Sequence, residues 1–337
     1  MSAQELGPLP MMPPVQYADV NGIRMAYYEA GPKTGIPIVL CHGFPELAFS
    51  WRHQIKALAD AGRWVIAPDQ RGYGLTEAPK AVEDYDINHL TGDLVGLLDQ
   101  VGAKKAVFVG HDWGGIIVWQ MPLLHPERVA GVIGVNTPFM PRAPIDPIAI
   151  MRARMGDEMY IVHFQKPGEA DDILGADARR SMDFFMRGPL AGAPPSAGMA
   201  VERKPGDPSA FALVRTIQAW DPAVDPRPKF LTPEEFDVFA ETFQRTGFTG
   251  GINWYRNFTR NWQMAEGIEQ KVKVPALMVM AENDAVLPPS AANGIEAFVP
   301  DVEKVLVTRS GHWTQQEEPE QTNQALLGWL DKRFPKA

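Results

Sequence analysis

The sequence predicts an α/β fold in which a mostly parallel sheet is flanked by helices and interrupted by a helical insertion. Three observations predict it. Short unbroken apolar runs recur along the chain, as strands covered on both faces require. Amphipathic helical patterns alternate with those runs as far as Thr137-Pro138, which implies βαβ units. The alternation then stops and resumes only after about Met264.

The elements follow in order. Val15–Val20 and Ile23–Ala30 flank Asn21-Gly22, a pair that tolerates positive φ and suits a two-residue hairpin. Residues 36–41 form an apolar run ending at His42-Gly43, and residues 47–61 place Trp51, Ile55, Leu58 and Ala59 at helical spacing. Residues 64–67 are the next strand run. Ile87–Val101 reads as a helix with Leu90, Leu94, Leu97, Leu98 and Val101 on one face. Residues 106–109 are a strand, residues 114–125 a helix ended by Pro126, and Val129–Val135 a further strand. The next stretch has helical patches, no strand run, and many Met, Phe, Trp, Gly and Pro residues; residues 189–208 read as an irregular loop. Residues 275–280 and Val302–Val307 restore the sheet pattern, and Pro319–Arg333 is a terminal helix. The expected division is a core over 15–137, a helical cap over 138–265, and the rest of the core over 266–337.

Composition narrows the function. A chain of 337 residues that is 45% hydrophobic can bury a sizeable core. Its net charge of -9 argues against nucleic acid, because phosphate binding needs a basic face. The single cysteine, Cys41, forbids an intramolecular disulfide and suits a reducing compartment. Residues 1–14 lack the charged-then-apolar order of a secretory signal, and no apolar stretch is long enough for a membrane span. A cytoplasmic setting is expected.

The chemistry concentrates in Val109-Gly110-His111-Asp112-Trp113-Gly114-Gly115, where a strand ends and a helix begins. This is the strand–turn–helix setting of a nucleophile elbow, in which small residues must stand two positions either side of the nucleophile. Gly110 and Gly114 do, and the nucleophile slot holds Asp112. A carboxylate is already ionised at neutral pH and can attack a saturated carbon directly, giving an ester that water must cleave. An oxirane or a carbon–halogen bond is the natural target. The alternative for Asp112 alone is a helix N-cap. The loop Cys41-His42-Gly43-Phe44-Pro45-Glu46 follows a strand where such folds place an oxyanion hole, so the backbone amides of Phe44 and Trp113 are its expected donors. Asp284, in Glu282-Asn283-Asp284, and His312, in Ser310-Gly311-His312-Trp313, follow later strands in the order nucleophile, acid, histidine. His312 would activate water, and Asp284 would orient it, with Glu282 the rival acid. The loop Asp69-Gln70-Arg71-Gly72-Tyr73-Gly74 reads as structural. No zinc, haem or dinucleotide pattern is present, so no cofactor is expected.

Together these motifs resemble the epoxide hydrolases of the α/β-hydrolase fold, particularly the hydrolase domain of the mammalian soluble enzyme and its bacterial relatives. The resemblance spans roughly residues 15–334. It implies an eight-stranded, mostly parallel sheet under a helical cap and a detoxifying activity that opens epoxides to vicinal diols. It also implies two cap tyrosines that hold the epoxide oxygen. Tyr160 precedes Phe164-Gln165-Lys166-Pro167-Gly168, and Tyr255 lies in Asn253-Trp254-Tyr255-Arg256, so these positions match. A phenol can donate a hydrogen bond and then a proton as the alkoxide develops. Met182, Phe184, Phe185, Met186 and Trp254 of the insertion, with Trp313, are candidates for an apolar pocket, cap-core packing being the other reading. The expected partners are a small apolar epoxide and water, and a homodimer through the cap is left open. The rival activity is a haloalkane or haloacid dehalogenase. Phe44 stands where haloalkane dehalogenases often carry Asn, and Trp113 where fluoroacetate dehalogenases carry Arg, so both positions favour the epoxide. A ligand-binding homologue without turnover is a further alternative, disfavoured by an intact triad.

Overall fold

A computed structural model describes residues 9–190 and 211–336. Eight strands form one sheet: β1 (Val15–Val20), β2 (Ile23–Ala30), β3 (Ile38–Cys41), β4 (Val65–Pro68), β5 (Ala106–His111), β6 (Val129–Val135), β7 (Ala276–Ala281) and β8 (Val302–Val307). Their spatial order is β1-β2-β4-β3-β5-β6-β7-β8. The hairpin β1-β2 and the β2-β4 pair are antiparallel, and every later pair is parallel.

Helices cover both faces, which explains the unbroken apolar strands. On β5, Phe108 packs into one core with Leu90, Leu94, Ile117 and Val118, which belong to α2 (Ile87–Val101) and α3 (Trp113–Leu124). Its neighbours Val107 and Val109 enter the opposite core. There they join Ile55 and Leu58 of α1 (Arg52–Asp60) and Leu326, Trp329 and Leu330 near the C-terminus. A 3₁₀ turn, Ala48–Trp51, precedes α1, so the pattern read as one helix over 47–61 is two. Helix α2 matches its sequence expectation end to end. The Asp86 side chain accepts from the His89 N–H at its start, and Gly102 at φ 75° stops it in the left-handed region.

Between β6 and β7 lie α4 (Pro147–Met155), α5 (Tyr160–His163), α6 (Glu169–Ala176), α7 (Ala178–Phe185), α8 (Leu213–Ala219), α9 (Pro233–Thr246), α10 (Thr249–Arg256) and α11 (Phe258–Met264). Among the described residues this stretch has no strand beyond one isolated bridge, Arg187 with Lys229. Most of the loop read over 189–208 lies outside the described residues. The short α12 (Thr314–Glu317) and α13 (Pro319–Arg333) complete the fold. No helix of the described residues is long and apolar enough to cross a membrane.

Candidate active site

The loops after β3, β5, β6, β7 and β8 meet beyond the carboxyl ends of the parallel strands, where open α/β sheets place their sites. β5 ends at His111, and α3 begins at Trp113, leaving Asp112 alone in the bend at φ 52° and ψ -121°. A non-glycine residue there is strained and persists only where its surroundings hold it. The glycines make the bend fit. A Cβ on Gly110 would run into the Gly114 carbonyl, and one on Gly114 into the Cys41 carbonyl. A Cβ on Gly43 would run into the Asp112 side chain. Asp112 makes no side-chain cap bond to α3, so the N-cap alternative fails.

The two carboxylate oxygens of Asp112 face different partners. The Phe44 N–H donates to Oδ1 at 2.7 Å. Oδ2 lies 3.6 Å from His312 Nε2. Trp113 is the first residue of α3, so its N–H has no intrahelical acceptor. The opposite ring nitrogen of His312, Nδ1, is 2.9 Å from Asp284 Oδ2. Asp284 is fully buried, and Asn136 Nδ2 donates to it at 2.7 Å, with the N–H groups of Val286 and Leu287 donating to Oδ1. Glu282 instead accepts from the Arg309 N–H, away from the imidazole.

Charge is coupled across this row. Burial pushes the Asp284 carboxyl up, but the charge and hydrogen bond of His312 and the Asn136 amide outweigh it and hold it well below its ordinary value. Burial likewise disfavours the His312 imidazolium, yet Asp284 and Asp112 together hold its pKa well above the ordinary value.

Several supporting residues carry no motif-level role in the sequence. Asn136, at φ 62° after β6, donates from Nδ2 to Asp284 and to the carbonyls of Gly311 and His312. Its signal was an Asn directly after an apolar strand, a residue that tolerates positive φ. His111 Nε2 donates to the His312 carbonyl at 2.6 Å, and Nδ1 pairs with Glu46 at 2.6 Å. Glu46 also accepts from the Gly43 N–H and from Gln315. Glu317 accepts from the N–H groups of Gly311 and Trp313, the two peptides flanking His312. His42 serves its turn: Nε2 accepts from the Gln70 N–H, and Nδ1 donates to the Gly43 carbonyl. The Asp69–Gly74 loop is structural as expected, with Asp69 accepting from Ala48 and Leu75 and Arg71 paired to Asp93.

Tyr160 opens α5, and Tyr255 lies in α10, their ring centroids 5.7 Å apart. Burial, then the nearby Asp112 carboxylate, push both phenols above their ordinary value, so they remain protonated donors. Two cavities meet at Asp112, Tyr160 and Tyr255. The smaller, about 100 Å³, is lined by Phe44, Phe184, Phe185, Leu213 and Trp313. The larger, about 510 Å³, is lined by Trp113, Met155, Met159, Phe258 and Trp262 among others.

The structure corrects part of the pocket expectation. Trp254 lines neither cavity. It is fully buried, its indole N–H donates to the Arg71 carbonyl at 3.1 Å, and its ring packs edge-on against Trp113 and Tyr73. Met186 and Met182 are also buried and line neither cavity. In each case a buried apolar side chain is taken up by packing against its neighbours instead of facing the ligand space. Phe185 and Trp313 do face that space.

Comparison with known proteins follows the same lines. A family model for the alpha/beta hydrolase fold matches residues 36–192. The chain is 45% identical to epoxide hydrolase A of Mycobacterium tuberculosis, over 94% of this chain and 97% of that protein. It is 41% identical to bifunctional epoxide hydrolase 2 of Mus musculus, over 92% of this chain but 54% of that longer protein. Among solved structures, epoxide hydrolase A from Mycobacterium thermoresistibile superposes with a TM-score of 0.83 at 43% identity, covering 94% of this chain and 98% of that one. Epoxide hydrolase VrEH1 from Vigna radiata gives 0.82 at 34% identity, covering 97% and 100%.

Proposed function

The chain belongs to the epoxide hydrolases of the α/β-hydrolase fold, and from that premise we propose that it opens epoxides in two steps through an ester on Asp112. The observation that carries this route is the split environment of one carboxylate. Oδ1 is held by the Phe44 amide, while Oδ2 lies on the side of His312, and the residue shares both cavities with two protonated tyrosines.

In the first step Oδ2 attacks the less hindered epoxide carbon. The C–O bond breaks toward oxygen, and Tyr160 and Tyr255 hold the developing alkoxide, one of them giving its proton. The Asp112 charge is now gone and a phenolate has formed. His312 loses one of the two carboxylates that favoured its imidazolium, so its proton passes by way of water to the phenolate. The neutral ring then takes a proton from the water that attacks the ester carbonyl. The oxyanion develops on Oδ1, already in contact with the Phe44 N–H, with the Trp113 N–H as second donor. As the carbonyl re-forms, the acyl hydroxyl gives its proton to the departing alkoxide. The diol leaves, with Asp112 ionised, His312 protonated and both phenols intact.

In this reading residues 138–265 act as the cap over a core made from 15–137 and 266–337, Phe185 and Trp313 contact the substrate, and the setting is cytoplasmic. Light scattering distinguishes a monomer from a homodimer. The test of the route is a single turnover in water enriched in heavy oxygen. The first diol carries ordinary oxygen, derived from Asp112, and later diols carry the label. Heavy oxygen in the first diol would mean direct attack by water and would remove the ester.

A further inference from the structure

The larger cavity has an uneven distribution of charge that ring opening does not explain. Its wall is apolar and rich in methionine, with Met140, Met151, Met155, Met159 and Met264 among its residues. Unbranched thioethers let such a wall adapt to a flexible chain. Only two of its lining residues are charged, Asp112 and Arg142. Asp112 is committed to the reaction. Arg142 touches no part of the triad: its backbone N–H donates to Gln270 Oε1, its Nε–H donates to the Trp262 carbonyl at 2.9 Å, and its guanidinium lies 4.4 Å from the centre of the Trp262 ring.

Those contacts fix the guanidinium, and its terminal nitrogens make no hydrogen bond and no carboxylate pair among the described residues. The cations of the smaller cavity differ. Arg187 is paired with Asp183, and Arg227 is paired with Asp225. A half-buried, stacked guanidinium presenting two free N–H₂ groups is the geometry that reads a carboxylate with two parallel hydrogen bonds.

We propose that Arg142 is the receptor for an anionic substrate terminus, so that this enzyme takes epoxides at one end of an apolar chain whose other end is a carboxylate. The inference rests on the epoxide hydrolase reading above. The chain lies along the methionine wall with its carboxylate on Arg142. The oxirane reaches Asp112 and the two tyrosines, and the unsubstituted side of the ring faces the smaller cavity, whose size admits only a short substituent.

The probes are terminal epoxides of straight-chain carboxylic acids of graded length, epoxyundecanoic acid among them, each beside its methyl ester. The ester keeps the oxirane and the chain and removes the charge. For the wild type, kcat/KM for the best acid should exceed that for its ester about tenfold, mostly through KM, as a charged hydrogen-bonded pair gives. The acids should show an optimum length, and added salt should lower the preference. In Arg142→Gln the acid-to-ester ratio should fall to about one, whereas Arg142→Lys should retain part of it. Equal handling of acid and ester by the wild type would overturn the proposal without any variant, as would an unchanged ratio in Arg142→Gln. If neither acid, ester nor styrene oxide is turned over by the wild type, the epoxide hydrolase reading itself has failed.

Discussion

At the scale of single residues, the site works by letting one charge govern another. His312 sits between Asp284 and Asp112, and both carboxylates push its pKa above the ordinary value. In the proposed route, alkylation of Asp112 removes one of them, so the pKa of His312 falls within the cycle and its base form appears when water must be activated. The expected sign is definite. Ester cleavage should slow as pH falls, with a midpoint below the titration of His312 in the free enzyme. A single-turnover pH profile set against NMR titration of the His312 ring compares the two. Attack on the epoxide needs no base, so His312→Gln should form the ester and stall. Intact-mass analysis should then show the protein heavier by one substrate; an unmodified mass after incubation, while the wild type turns over, would contradict the route. The residues in this row were legible because each stands in a local motif at a strand end. Asn136 was not. Its role comes from the carbonyls and carboxylate that two other loops bring to its amide, and no spacing in the sequence encodes that meeting.

At the scale of elements, legibility follows how each segment is bounded. Ile87–Val101 and Pro319–Arg333 match their sequence expectations end to end, because a capping Asp86 and Gly102 bound the first and a proline opens the second. Trp254 misled because an apolar residue on a cap helix reads the same whether it faces ligand or neighbour, and here it packs under Trp113. The short α12 shows what pattern reading cannot weigh. Its Glu317 turns back to accept both N–H groups flanking His312, and burial raises its carboxyl from 4.5 to about 7. Glu317→Gln leaves one acceptor oxygen and points an amide donor at the second N–H, which should cost about 1–3 kcal/mol and lower kcat by loosening His312. The pH dependence has a fixed sign. A carboxyl whose folded value is raised contributes stability that is present below its unfolded value and lost as pH rises through about 7. The Gln variant does not titrate there, so the gap in melting temperature between wild type and variant should be largest at the acidic end and narrow through neutrality. A gap that widens with pH would rule out this account of Glu317.

At the scale of the whole molecule, the two proposed steps divide between two parts of the chain. Asp112, His312 and Asp284 stand on loops of the sheet, whereas Tyr160 and Tyr255 stand on helices of the insertion. Ring opening therefore needs the two parts in register, and ester cleavage needs only the sheet loops. Specific contacts hold that register. Arg52 Nε donates to Glu235 at 2.8 Å with Arg52 buried, the Trp254 indole N–H donates to the Arg71 carbonyl, and Gly250 packs closely against Gly72. Glu235 also completes the capping box of α9 with Thr232. Glu235→Ala removes both interactions and leaves a buried guanidinium short of its counter-charge, which should cost roughly 3 kcal/mol. The kinetic consequence should be selective. Rapid-quench measurement should show ring opening slowed about tenfold by the misplaced tyrosines, with ester cleavage nearly unchanged. Replacing both tyrosines with Phe should exaggerate the same asymmetry, slowing ring opening by roughly a hundredfold or more as the proton donors are lost. If Glu235→Ala slowed both steps by one factor, the register between the two parts would matter equally to both, and the division of labour between insertion and sheet would have to be abandoned.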